Sequence, residues 1–177
     1  MKYLLTLCFL LLGATTVQAA PDRDETVAYI NTTCANGNYY GNYTRFKKAE
    51  IGKADAAIVS LHTETLVPAA PGEQVQVFHH VTTFDLRKVE IRLQDAFQNA
   101  DGTTSPARVA FRCPGSCISV TTRTEVWQNS TLVAPPKTQT YSGGAEDLFC
   151  PYTDRVFRAF QHLQELAGGP EKDPFAN

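Results

Sequence analysis

The chain has 177 residues, with 16 Lys+Arg against 18 Asp+Glu, 43% hydrophobic and 19% charged residues, and a pI near 6.1. This composition is that of a globular protein rather than a disordered one, and the length suits one domain. The balance gives no basic footprint for nucleic acid or anionic lipid.

Residues 1–19 read as a removable export signal. Lys2 supplies one positive charge, Tyr3 to Gly13 is an apolar run, and Val17-Gln18-Ala19 offers small residues where a signal peptidase cuts. The run is about half of the roughly 20 residues that a membrane span needs, so no span is expected. Cys8 lies inside it rather than at its end, which disfavours a lipoprotein. Cleavage leaves about 158 residues beginning at Ala20 or Pro21, and loss of Lys2 shifts the net charge from −2 to −3. The expected division is a signal at 1–19, one α+β domain at 20–170 and a mobile tail at 171–177. The expected location is the periplasm or the extracellular space.

Asp22-Arg23-Asp24-Glu25 opens a short helix with acidic residues where its dipole favours them, and Val27, Ile30 and Cys34 recur at helical spacing before Asn36-Gly37. Tyr39, Tyr40, Tyr43 and Phe46 then cluster with Asn36, Asn38 and Asn42. Such residues suit an adaptable binding surface, or equally a bulged strand packed on the core. A weakly patterned strand is expected around Tyr43 to Glu50. Ala56 to Val67 carries Val59, Leu61, Thr63 and Thr65 on one parity, Pro68 to Gly72 breaks it, and a second strand runs from Val75 to Phe84.

Asp85 to Lys88 reads as a turn, and Val89, Ile91 and Leu93 alternate with polar residues in a half-buried strand. Asn99 to Pro106 is a loop by composition. Arg108 to Cys113 and Cys117 to Trp127 are expected to pair as a hairpin, with Trp127 at the edge of the core. Asn129 to Gly144 reads as a long loop with at most a short edge strand. Thr153 is the expected cap of a terminal helix whose apolar face is Val156, Phe157, Phe160, Leu163 and Leu166, stopped by Gly168-Gly169-Pro170. His162 on this helix reads as a boundary residue.

Four cysteines survive cleavage, an even number that suits two disulfides in an exported chain. The turn Cys113-Pro-Gly-Ser-Cys117 can close a local bridge, which leaves Cys34 for Cys150. A zinc site is the rival reading, but Cys-x₃-Cys lacks a second close pair. Asn31, Asn42 and Asn129 head Asn-x-Ser/Thr triplets, glycan acceptors only if the secretory path is eukaryotic.

The order helix, five to seven antiparallel strands, amphipathic helix predicts a curved meander whose apolar face the last helix covers. This element order resembles the pleckstrin-homology-like architecture, and the resemblance implies a bent barrel plugged by the C-terminal helix. It carries no function by itself.

No nucleophile elbow and no phosphate-cradling loop is present. His62, His79 and His80 fall on two strands expected to be adjacent. A turn centred at Ala70-Pro71 sets His62 opposite His79, close enough to share a metal, with Glu64 as a third ligand. A one-residue slip would pair His62 with Phe78 or His80, and the plainest reading is a solvated polar face. Two functions from different classes remain. One is a cofactor-free binding module that recognises another exported or envelope protein. The other is a small secreted metalloprotein or hydrolase built on the three histidines.

Overall fold

The computed structural model describes residues 20–35, 38–39, 44–67, 69–70 and 73–169. The signal segment, Tyr40, Tyr43, Asn42 and the tail lie outside the described residues, and Tyr39 is described by its backbone alone. Helix α1 (Arg23–Cys34) starts at Asp22, whose carboxylate accepts the Glu25 amide while Glu25 accepts the Asp22 amide. That reciprocal pair satisfies two of the amides that a helix start leaves orphaned. Among the described residues twelve strands follow: β1 (Asn38–Tyr39), β2 (Thr44–Ile51), β3 (Ile58–Val67), β4 (Val75–Asp85), β5 (Glu90–Gln94) and β6 (Phe97–Gln98), then β7 (Thr104–Ser105), β8 (Arg108–Arg112), β9 (Ile118–Gln128), β10 (Thr131–Leu132), β11 (Lys137–Gly143) and β12 (Ala145–Leu148). Helix α2 (Thr153–Leu166) closes the chain.

The molecule is α+β and antiparallel, but its sheets are open and form no closed barrel. One sheet runs β1-β2-β3-β4-β9-β10 with β11 also on β9, a second runs β12-β8-β5, and β6-β7 is a separate hairpin whose second strand falls inside the loop expected at Asn99 to Pro106. The expected pairing of the two cysteine-bearing strands does not occur. Strand β8 pairs with β5 and β12, whereas β9 pairs with β4, β10 and β11. Length and burial explain this. The long β9 matches the equally long β4, while Val109, Ala110 and Phe111 of β8 are buried on both faces and need a strand on either side. The Cys113–Cys117 turn is therefore a crossing between sheets.

Three other expectations change. The expected loop at Asn129 to Gly144 contains the seven-residue β11, exposed on both faces and so without an apolar period. Thr153 is not the cap of α2: Tyr152 holds that position in a left-handed conformation, and the Thr153 hydroxyl donates to the Cys150 carbonyl. Leu166 is exposed rather than part of the buried stripe.

The core lies between the lower half of the large sheet, the small sheet and the two helices. The Phe111 ring sits 4.6 Å from Phe84 and 5.1 Å, edge to face, from Phe160, so one side chain joins both sheets to α2. Disulfides join Cys34 to Cys150 and Cys113 to Cys117, with Cα separations of 4.9 Å and 6.3 Å. No described helix is long and apolar enough to cross a membrane.

Candidate functional site

The strands that carry the histidines pair two residues out of the expected register. His62 faces Val81, His79 faces Glu64, and His80 faces Thr63. The buried partners set this register, because Val59 must meet Phe84, and Leu61 Thr82, on the core side. A shift of two keeps every side chain on its expected face and changes only its neighbours. Hence His62 and His79 share the solvent face as diagonal neighbours, and His80 points to the other side.

His80 donates or accepts one hydrogen bond at 2.9 Å, Nδ1 to the Thr122 hydroxyl, and its ring lies parallel to that of Phe78. Burial, and then the neighbouring His79, hold its pKa below the usual histidine value, so it is neutral at pH 7. His62 Nε2 lies 3.0 Å from Glu50, and Lys48 binds the same carboxylate. The Lys48 hydrogen bond is the main reason that the Glu50 pKa lies below its ordinary value.

His79 is the centre of a charged row. Its Nδ1 lies 3.5 Å from Glu64 and its Nε2 3.6 Å from Glu125. Lys47 reaches Glu64 at 3.0 Å, and Arg123 reaches Glu125 at 2.8 Å. The Trp127 indole donates to Glu125 at 3.1 Å. Basic and acidic side chains thus alternate across β2, β3, β4 and β9, with no two of one kind adjacent in the chain of contacts. The two carboxylates meet opposite nitrogens of the His79 ring, so all three groups cannot close on one ion. Among the described residues no set of three or more His, Cys, Asp or Glu is placed to hold a metal.

The sequence points to His79 and Glu64 but not to Lys47, Glu125 or Arg123. The pairing of β9 with β4 brings the last two in, and only strand order could have revealed it. Asn31, a candidate glycan acceptor, lies within α1. Its side-chain amide donates to the Ala49 carbonyl and accepts the Ala49 amide, so the nitrogen that a glycan would take is already packed against β2. Asn129 sits exposed in the β9–β10 turn. No family model matches the chain, and neither a curated protein nor a solved structure matches it.

Proposed function

We propose that the protein is an exported, non-enzymatic interaction module, and that it recognises another exported or envelope protein through the polar face of its large sheet. The observation that carries this reading is the alternating row Lys47–Glu64–His79–Glu125–Arg123. Ion pairs open to solvent at their ends add little to stability, and a row of them presents basic and acidic groups at fixed positions to a partner. Such a surface rewards a partner of complementary pattern and repels others. The two disulfides suit an oxidising compartment, and the leader-like residues 1–19 supply a route there.

Affinity capture from the exported fraction of the native host tests the reading. The double variant Glu64→Lys/Glu125→Lys breaks the alternation without touching the core. The reading expects a protein captured by the wild type and lost with the variant. Equal capture by both folded proteins would overturn it.

A further inference from the structure

The described sheets end in four strands of interest, and three of the edges are defended. Along β2, the Asn31 side chain bonds the Ala49 backbone as a neighbouring strand would, β1 pairs with the first two residues, and Arg45, Lys47, Lys48 and Glu50 line the strand. Strand β5 has five residues, two of them the ion-paired Glu90 and Arg92. Strand β12 has four, including Glu146 and Asp147. Short length, charge and covering groups are the usual ways in which proteins keep sheet edges from pairing.

Strand β11 has only one charge, at its first residue. It pairs with β9 on one side along all seven residues, and among the described residues no strand lies on its other side. Its sequence is Lys-Thr-Gln-Thr-Tyr-Ser-Gly, with Lys137 as the one charge and no proline. Lys137 to Ser142 are all exposed, and Tyr141 leaves 57% of its surface open. Three threonines or tyrosines in such a run favour extended pairing.

We infer that β11 is a self-association edge, which pairs antiparallel with β11 of a second copy about a twofold axis through Thr140 and joins the two large sheets. This goes beyond the proposed partner-binding face, which it leaves exposed. The sequence is complementary to itself in that register. Thr140 meets Thr140, Gln139 meets Tyr141, Thr138 meets Ser142, and the single charge at Lys137 meets Gly143. No like charges face each other, and both Gly143 residues accommodate the opposing lysine stems. The Thr140 hydroxyl already bonds Thr121 of β9 at 3.0 Å, so the new contact extends a hydroxyl row across the axis. A single strand pair buries less than the 1,200–2,000 Å² typical of stable interfaces. The association is therefore concentration-dependent rather than permanent.

Sedimentation equilibrium of the mature, oxidised protein over a wide concentration range tests this. The wild type is expected to pass from monomer to dimer. Thr140→Lys and Thr140→Glu each place two like charges opposite one another and should weaken association roughly five-fold or more, while both variants stay folded because Thr140 is exposed and loses only its bond to Thr121. An equimolar mixture of the two variants should recover the dimer through an opposite-charge pair. A wild type that stays monomeric throughout, a variant that dimerises like it, or a mixture that fails to recover would each overturn the inference.

Discussion

Glu146 lies directly opposite Phe111 in the β8–β12 ladder, so its carboxyl is turned toward the core rather than toward solvent. Burial is the main cause that raises its pKa from 4.5 to about 7; the Asp147 charge adds to the shift and Arg112 opposes it. The folded chain therefore keeps a proton that the unfolded chain releases between pH 4.5 and about 7. Stability from this group is lost as pH rises through that window and stays lost above it. Glu146→Gln removes the ionisation and should stabilise the protein at pH 8 by on the order of 2–3 kcal/mol, with little effect at pH 4.5. Denaturant midpoints of both proteins at the two pH values check this, and parallel profiles would contradict it. The neighbouring Asp147 lies on the opposite face, where Arg108 and Arg112 reach it at 3.0 Å and 2.6 Å.

At the scale of elements, α2 is the piece that closes the core. Val156, Phe160 and Leu163 are buried along one stripe, and Phe160 meets Phe111 edge to face. Phe160→Ala should open a cavity and cost roughly 3–5 kcal/mol, whereas the exposed Gln161→Ala should change stability by about 0.5 kcal/mol or less. Thermal midpoints compared in oxidised protein decide this; equal midpoints would mean that the helix does not cover the sheets. This stripe was legible in the sequence because helical periodicity is local, as was the alternation of β3, β4 and β9. Strand order was not legible. The Cys113-Pro-Gly-Ser-Cys117 turn has the composition of a hairpin, yet its flanking strands belong to different sheets. Nor could β11 be read, because a strand exposed on both faces has no apolar alternation to betray it. The candidate site was half legible for the same reason: parity placed His62 and His79 on one face, but which carboxylates face them depends on non-local pairing.

For the whole molecule, the two disulfides have unequal work. Cys34–Cys150 spans 116 residues and ties the end of α1 to the approach of α2, and Cys113–Cys117 spans four at the crossing between sheets. In the chain-entropy model the first bridge stabilises by about 5 kcal/mol and the second by about 2. Cys34→Ala/Cys150→Ala should accordingly lower the denaturation midpoint much more than Cys113→Ala/Cys117→Ala. Equal losses would mean that the long bridge constrains little in the unfolded chain.

The proposed role as an exported module requires that the bridges form in the mature protein outside the cytoplasm. Peptide mapping under non-reducing conditions, on protein recovered from the extracytoplasmic fraction, tests that most directly. The expected result is a first peptide that begins at Ala20 or Pro21, together with Cys34–Cys150 and Cys113–Cys117 linked peptides. An intact Met1 peptide, free thiols at these four positions, or a Cys34–Cys113 linkage would contradict it.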